Sequence, residues 1–273
     1  MSPRAQDESA ALDSLVAEVY RRTGVTLDEG KRNMLSNRLR RRCRAVGVSS
    51  LREYWKLLRA LDDAAEEVAE FVHSVTTHKT SLFRTSSLWS FLEEELARLA
   101  ERQGRVSAWS AACSTGQEAA SFAMLSESLD GGEHSLRYSV LASDVSAPVV
   151  QSASEGKFSV DEVSVAAAAQ PRIPVDSYFG EPQEDQRALQ PALRRSIEYR
   201  THNLFEPIRR SFDVILLRNV IIYFTEDDRR RVIENCCSAL REGGLLVIGE
   251  SESLNGGFQG LEYIAPCTYR KSK

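Results

Sequence analysis

The first 75 residues carry an apolar pattern with helical spacing. In the first predicted helix, four apolar residues three or four positions apart share one face: Leu12, Leu15, Val16 and Val19. A second helix is expected between Gly24 and Gly47, and two shorter ones follow before residue 76. The pattern therefore predicts a small all-α domain over residues 1–75.

The apolar pattern changes beyond a polar linker at residues 76–88. An amphipathic helix from Ser86 ends before Gly104, and short apolar runs then alternate with helical segments. The strand candidates lie in "RVSAWSA", "LRYSVLASD", "SIEYRTHNLF", "SFDVILLRNVIIYF" and "LLVIGES". Strands that alternate with helices predict an α/β domain over residues 89–273, with a parallel, doubly wound sheet.

One segment of the predicted α/β domain breaks this alternation. Residues 157–197 contain four prolines and an alanine run, and no regular period extends across them. We interpret this segment as an insertion that is partly ordered, with one short hairpin expected in it. It repeats no other part of the chain.

Composition and charge exclude several classes of protein. The 273 residues are 42% hydrophobic and 27% charged, which is typical of a soluble globular protein, and the net charge of -4 indicates neither nucleic acid nor membrane as a general partner. The five cysteines show no metal-ligand spacing, so reduced thiols and no metal site are expected. No signal peptide and no apolar run of about 18 residues is evident, which favours a cytoplasmic protein without membrane insertion.

Three candidate sites lie where predicted strands end, which is where open α/β sheets bind ligands. The first is the small-residue turn "SAACSTGQE", which contains Gly116 and ends at Glu118. The second is Asp144, at the end of the next strand, where a carboxylate is placed to bind a ribose. The third is the pair Arg218 and Asn219, which interrupts an apolar run and should be satisfied by a loop or a ligand.

Each candidate has a plain structural alternative. The small residues could form only a tight turn, Asp144 could cap the next helix, and the polar pair could be an ordinary strand end. Taken together, a turn with one glycine and an acidic residue on the next strand favours an adenosine-type ligand without a pyrophosphate, such as S-adenosylmethionine. The four scattered histidines form no catalytic triad with a serine or cysteine.

Several motifs in one order resemble a known family. "TTHKTSLFR", "WSAACSTGQEAAS", "LASD", "HNL" and "RNVIIYF" are similar to the CheR-type chemotaxis receptor glutamate O-methyltransferases, over roughly residues 10–270. The resemblance implies a Rossmann-like S-adenosylmethionine-dependent methyltransferase domain with a small inserted β-subdomain, after a helical N-terminal domain. It also implies methylation of glutamate side chains on the cytoplasmic domain of methyl-accepting receptors, with S-adenosylhomocysteine as the second product.

The resemblance assigns roles to individual residues. It implies that the cofactor is bound by His78, Thr80, Arg84, Glu118, Asp144, Asn203, Leu204, Asn219 and Val220. Arg84 would also hold the acceptor carboxylate, and Tyr223 would act in the same region. The family usually has asparagine where this chain has His78, an acidic residue where it has Thr85, and "GEEPYS" in place of its "GQEAAS".

The basic stretch at residues 31–44 is the candidate surface for a partner. It has seven Lys or Arg residues and no acidic one, and Met34, Leu35 and Leu39 are expected to face inward. A solvated surface is the plain interpretation, and nucleic-acid backbone binding is disfavoured because aromatic residues are absent from it. The resemblance favours docking of an acidic receptor helix through Lys31, Arg32, Arg38, Arg41 and Arg42.

Two other functions stay open at this point. The changed motif residues are compatible with a cofactor-binding regulator that has weak or no turnover. The basic helical domain is compatible with an interaction protein that needs no cofactor. A monomer is expected in each case.

Overall fold

The computed structural model describes residues 3–26, 29–129, 136–254 and 258–272, with all of their side chains except those at positions 3–5, 29 and 31. The prediction for Lys31 therefore concerns a side chain outside the described set. Four helices form the N-terminal part: α1 Pro3–Thr23, α2 Glu29–Ala45, α3 Leu51–Ala60 and α4 Glu66–Val75. Their inward faces share one buried cluster that includes Leu15, Leu39 and Phe71.

Two details of the helical part bear on the sequence predictions. The serines that begin "SSLREYWKLLRAL" predict a cap there, and Ser50 caps α3, because its side chain accepts a hydrogen bond from the Glu53 amide. The expectation that Met34 faces inward is wrong: Met34 is 42% exposed, whereas Leu35 and Leu39 are buried. Leu35 and Leu39 lie four residues apart on the inner face, and Met34 is rotated about 100° away from Leu35.

The second part of the chain is a sheet with helices on both faces. Its strands are β1 Arg105–Ala111, β2 Arg137–Asp144, β3 Lys157–Ser159, β4 Gln186–Ala188, β5 Ile197–Thr201, β6 Phe212–Leu217, β7 Leu240–Ile248, β8 Leu261–Ala265 and β9 Thr268–Lys271. The helices are α5 Ser86–Gln103, α6 Gln117–Ser128, α7 Ala147–Glu155, α8 Val160–Ala169, α9 Pro191–Arg195 and α10 Glu226–Ala239. Alternate residues of the central strands pack on α5 and α6 on one face and on α10 on the other.

The main sheet has the strand order β5-β2-β1-β6-β7-β9-β8. The first five strands are parallel, but β9 pairs antiparallel with β7 and β8 pairs antiparallel with β9. The sheet is therefore mixed, and the prediction of a parallel sheet holds for five of its seven strands but is wrong for β8 and β9. The two additional strands are mostly half-buried or exposed, so they lack the continuous apolar run that marks a central strand.

Two predicted elements are too long. The strand candidate that ends at Phe224 stops at Leu217, where β6 ends, and a 3-10 helix covers Ile221–Tyr223. The sequence also predicts a helix over "EDDRRRVIENCCSALREGG", but α10 stops at Ala239 and β7 begins at Leu240. Strand β6 ends where the polar pair Arg218 and Asn219 interrupts the apolar run, and β7 begins ahead of the polar and glycine residues that precede Leu245, so periodicity alone does not fix these two ends.

The insertion contains more regular structure than the sequence predicted. Strands β3 and β4 pair antiparallel, as the expected hairpin requires, but α8 and a 3-10 helix at Val175–Tyr178 separate them. The alanine run forms the last four residues of α8, and Ser159 is the N-cap of this helix. Glu162 of α8 accepts a hydrogen bond from the amide of Leu82 in the linker, 3.0 Å away. The insertion therefore contacts the segment that joins the two parts of the chain.

The helical part meets the sheet part at the end of α1. Gly24 has φ +70°, and a Cβ there would lie 2.0 Å from the Phe205 ring. Close by, the side-chain amide of Asn203 donates to the Arg22 carbonyl at 3.0 Å, and the Thr26 amide donates to the Tyr223 carbonyl at 2.9 Å. The junction therefore needs both the backbone conformation and the small size of glycine.

This junction predicts a difference between two glycine substitutions. Gly24→Ala combines the left-handed backbone penalty of about 1 to 2 kcal/mol with displacement of Phe205. Gly47→Ala is the matched control, since Gly47 has φ +77° but no atom within 4 Å of an added Cβ. In urea unfolding, the loss in the free energy of unfolding should be larger for Gly24→Ala than for Gly47→Ala by about 1 kcal/mol or more. Equal losses would contradict the close packing at the junction.

Candidate functional site

A cavity of about 240 Å³ lies at the carboxyl ends of β1, β2 and β6, between the sheet and the helical part. The linker contributes residues 76–81 and Arg84 to its lining. The helical part contributes Thr23, Val25, Met34 and Val75, none of which the sequence predicted for the site. The break in helical pattern at Gly24 was the one signal that the chain there approaches another element.

Asp144 supports the turn between β1 and α6. Its Oδ2 accepts a hydrogen bond from the Ser114 amide at 3.0 Å, and its Oδ1 accepts one from the Ser146 amide at 3.1 Å. Ser146, rather than Asp144, is the N-cap residue of α7. The carboxylate lines the cavity and is 7% exposed. It therefore orders the ends of β1 and β2 beside the space that a ligand would fill.

Glu118 and Arg218 form a buried ion pair at the bottom of the cavity. The Arg218 Nη1 lies 3.2 Å from the Glu118 Oε2, and the Ser110 hydroxyl donates to the Glu118 Oε1 at 2.7 Å. Burial raises the pKa of Glu118, and the Arg218 guanidinium and the Ser110 hydroxyl oppose that rise. The Arg218 Nη2 donates to the Arg84 carbonyl at 2.9 Å. Of the two alternatives expected for Arg218, a loop or a ligand, the linker supplies a loop partner for Nη2, while Nε has no hydrogen-bond partner.

The linker turns polar groups toward the cavity. Thr76 Oγ1 and His78 Nε2 lie 2.8 Å apart, and the His78 ring stacks on the His73 ring with centroids 5.0 Å apart. Thr80 lines the cavity and is partly buried. The exposed Arg84 guanidinium lies at the cavity, where its Nη1 donates to the Lys79 carbonyl at 3.3 Å. The residues predicted in the linker are therefore brought to one site.

The remaining predicted residues line the other side of the cavity. Leu204, Asn219, Val220 and Tyr223 all belong to its lining, together with Asn203. The Asn203 side chain is already engaged, because its Oδ1 accepts from the Phe205 amide while its amide binds the Arg22 carbonyl. Asn203 therefore connects the end of β5 to the helical part as well as facing the cavity.

The cavity concentrates two signs of a ligand site. Among the described residues, five buried side-chain polar atoms lack a hydrogen-bond partner, and three of them belong to the lining: Ser114 Oγ, His202 Nε2 and Arg218 Nε. Of the seven described non-glycine residues with positive φ, Ala112, Ser114 and Asn219 also line it. Unpaired polar atoms and a strained backbone cluster at functional sites, so the lining fits a polar organic ligand such as S-adenosylmethionine.

The predicted receptor-binding arginines are mostly engaged within the helical part. Arg38 donates to the Ser74 and Thr76 carbonyls, and Arg42 pairs with Glu67 and Glu70. Arg32 pairs with Asp13 on α1. Arg41 is exposed on the outside of α2. A role of this surface in receptor binding stays a prediction.

The described part of the chain also bears on the other expectations. Its five cysteines are unpaired. Within residues 3–26, 29–129, 136–254 and 258–272, no three His, Cys, Asp or Glu side chains are grouped so that they could hold a metal ion. In the same ranges, no helix has both the length and the apolar composition needed to cross a membrane.

Comparison with known proteins supports the resemblance over nearly the whole chain. The family model described as "CheR methyltransferase, all-alpha domain" matches residues 10–76. The model described as "CheR methyltransferase, SAM binding domain" matches residues 78–270. The two models meet at the linker.

Relatives of similar length carry one description. The "Chemotaxis protein methyltransferase" of Borreliella burgdorferi is 30% identical over 271 residues, which cover 96% of this chain and 94% of that protein. The protein of the same description from Salmonella typhimurium is 32% identical and covers 93% of this chain and 88% of its own length. The one from Escherichia coli is 32% identical, with 87% of this chain and 82% of that protein covered.

The stacked histidines predict a pH dependence of stability. Burial lowers the pKa of His78, and the charges of His73 and Arg38 lower this pKa further. The Asp144 carboxylate acts in the opposite direction and raises it. As pH falls below the ordinary histidine pKa of about 6.5, the unfolded chain gains a proton before His78 does in the folded chain, so stability is lost. Between pH 7.5 and 5.5, urea unfolding should show a smaller loss in the free energy of unfolding for His78→Asn than for the wild type. The same loss in both would contradict this role of His78.

Proposed function

The chain belongs to the CheR family of S-adenosylmethionine-dependent chemotaxis methyltransferases, and from this membership we propose that it methylates glutamate side chains of methyl-accepting chemoreceptors. The observation that carries the proposal is the convergence of Asp144, the buried Glu118–Arg218 pair and the Arg84 guanidinium on one cavity. The first three groups suit a nucleoside-type cofactor. The exposed guanidinium at the same cavity suits an anionic acceptor.

Individual residues of the cavity lining are assigned to different parts of the cofactor. S-adenosylmethionine, when bound, supplies a methyl group on a sulfonium sulfur. We assign Asp144 to the ribose, because it lies at the end of the second strand of an open α/β sheet and faces the cavity. The unpaired Arg218 Nε and the Ser114 hydroxyl support additional polar contacts with the cofactor. The proposed cofactor set is completed by the other predicted lining residues: His78, Thr80, Arg84, Glu118, Asn203, Leu204, Asn219 and Val220.

Arg84 is the proposed residue for the acceptor. Its guanidinium is exposed and uses Nη1 on the Lys79 carbonyl, which leaves other N–H groups for a carboxylate. A guanidinium matches a carboxylate with two parallel hydrogen bonds. Tyr223 lines the same cavity, so its phenol is the second proposed catalytic group. These two residues would orient an acceptor oxygen toward the methyl group.

The reaction requires no proton acceptor from the protein. A glutamate side chain has an ordinary pKa of about 4.3, so it is ionised at neutral pH and is already a nucleophile. In-line displacement at a methyl group then depends on position and electrostatics. This requirement agrees with the assignment of Arg84 and Tyr223 to the acceptor, since neither has to act as a general base.

Receptor docking is proposed on the same side of the molecule. Met34 of α2 is exposed and lines the cavity, and Arg41 is exposed further along the same helix. An acidic receptor helix that lies along α2 could therefore present a glutamate to the cavity. We also propose that the protein acts in the cytoplasm on the cytoplasmic domain of the receptor, as a monomer.

The changed motif residues had suggested a regulator without turnover. Ala119 and Ala120 are fully buried in the packing between α6 and the sheet, and neither lines the cavity. Gln117 accepts a hydrogen bond from the Thr115 hydroxyl within the turn. These residues therefore give little reason to expect loss of activity, and His78 is the one change that faces the cofactor site.

Two assays test the proposal in sequence. Calorimetry should show that S-adenosylhomocysteine binds the purified protein with micromolar affinity. Radiolabelled S-adenosylmethionine and a receptor cytoplasmic fragment should then give base-labile methyl esters on glutamate. Failure to bind the cofactor would overturn the enzyme assignment, whereas binding without methylation would overturn the proposed receptor substrate.

The role of Arg84 predicts a separation of turnover from cofactor binding. Arg84→Ala retains the backbone carbonyl that Arg218 binds, so the cavity should persist. We expect kcat to fall about 100-fold, as for loss of one charge-stabilising donor, with less than a tenfold change in the Kd of S-adenosylhomocysteine. Arg102→Ala, an exposed arginine at the end of α5, is the control. Full methylation by Arg84→Ala would show that the assignment is wrong.

A further inference from the structure

The Glu252 carboxylate is buried and bonded to backbone amides. Its Oε2 accepts from the Asn219 amide at 2.9 Å and from the Gly249 amide at 2.6 Å. Its Oε1 accepts from the Ile221 amide at 2.9 Å and from the Ile222 amide at 3.4 Å. Glu252 is 8% exposed, and the ion pairs found among the described residues do not include it. Both oxygens are therefore used by main-chain donors.

These amides belong to a segment that has left the sheet. Strand β6 ends at Leu217, Asn219 takes a positive φ of 58°, and a 3-10 helix follows at Ile221–Tyr223. Sheet pairing no longer satisfies the amides of Asn219 and Ile221, and burying such groups unpaired is costly. Glu252 supplies the acceptors that a neighbouring strand would otherwise provide.

Gly249 makes this arrangement possible. A Cβ at position 249 would lie 2.6 Å from the Asn219 Nδ2, 2.7 Å from the Glu252 Oε2 and 2.9 Å from the Asn219 amide nitrogen. The end of β7 therefore passes in direct contact with the segment that Glu252 holds. Any larger residue would displace either the carboxylate or Asn219.

The segment held by Glu252 carries one wall of the cavity. Asn219, Val220 and Tyr223 line the cavity, whereas Glu252 itself does not. We propose that Glu252 is a positioning residue for methyl transfer, which fixes these three side chains toward the cofactor and the acceptor. The part of this inference that concerns the acceptor rests on the proposed function, and the part that concerns the cofactor does not.

The isosteric substitution Glu252→Gln tests the proposal. It replaces one acceptor oxygen by an NH2 group that faces two backbone amides, so at most two of the four hydrogen bonds survive. We expect the Kd of S-adenosylhomocysteine to rise at least tenfold. We expect kcat to fall about 100-fold, since a shift of about 1 Å in a positioning group has this effect. Glu250→Gln, two residues away and exposed, is the matched control and should leave both values unchanged.

The readouts separate positioning from stability alone. Both constants are measured well below the unfolding temperature of the variant, with its folded fraction checked by circular dichroism. A lowered unfolding temperature with unchanged Kd and kcat would overturn the proposal, because Glu252 would then only stabilise the fold. The cofactor measurement needs no receptor, so it is independent of whether the proposed substrate is correct.

A second measurement covers the case in which Glu252→Gln does not fold. In the wild-type protein, hydrogen exchange should show the Asn219 and Ile221 amides protected for as long as those of β6. Exchange of these amides within seconds would mean that Glu252 does not hold the segment in solution. That result would overturn the proposal without any variant.

Discussion

The contacts of the buried Arg218 guanidinium are the interactions on which the site depends most. This guanidinium joins the end of β6 to Glu118 at the start of α6 and to the Arg84 carbonyl in the linker. These three segments are far apart in the chain, and each carries a proposed site residue. A buried charge that loses its partner costs several kcal/mol, so the three segments are held in place together. The proposed acceptor-binding Arg84 is thereby fixed through its backbone while its side chain stays exposed.

Methylation of a carboxylate requires a site whose groups are held rigidly in position. The acceptor is already ionised at neutral pH, so the protein has to provide position and a suitable field rather than a base. Accordingly, carboxylates at and near the cavity hold its backbone in place through hydrogen bonds. Asp144 accepts from the Ser114 amide, and Glu252 accepts from amides of the Asn219–Ile222 segment. The helical part contributes Thr23, Val25 and Met34 to the cavity wall, so the complete site requires both parts of the chain.

The sequence was informative where a local pattern of apolar and polar residues is typical of a single kind of structure. Apolar periodicity predicted the helices outside the insertion and the five parallel strands, and the polar interruption at Arg218 pointed to the site. It was not informative for β8 and β9, whose residues are mostly half-buried or exposed, or for the ends of β6 and α10, which the predicted elements overran. The roles of Met34 and Glu252 also escaped prediction, because each depends on which distant segment packs beside it.

A crystal structure of the protein with S-adenosylhomocysteine tests the central claim most directly. The account predicts the ribose hydroxyls against the Asp144 carboxylate, and the sulfur on the side of the cavity where Arg84 and Tyr223 lie. It also predicts that the Arg218 guanidinium keeps its contacts with Glu118 and the Arg84 carbonyl. A ligand bound elsewhere, or one whose ribose lies away from Asp144, would contradict the account.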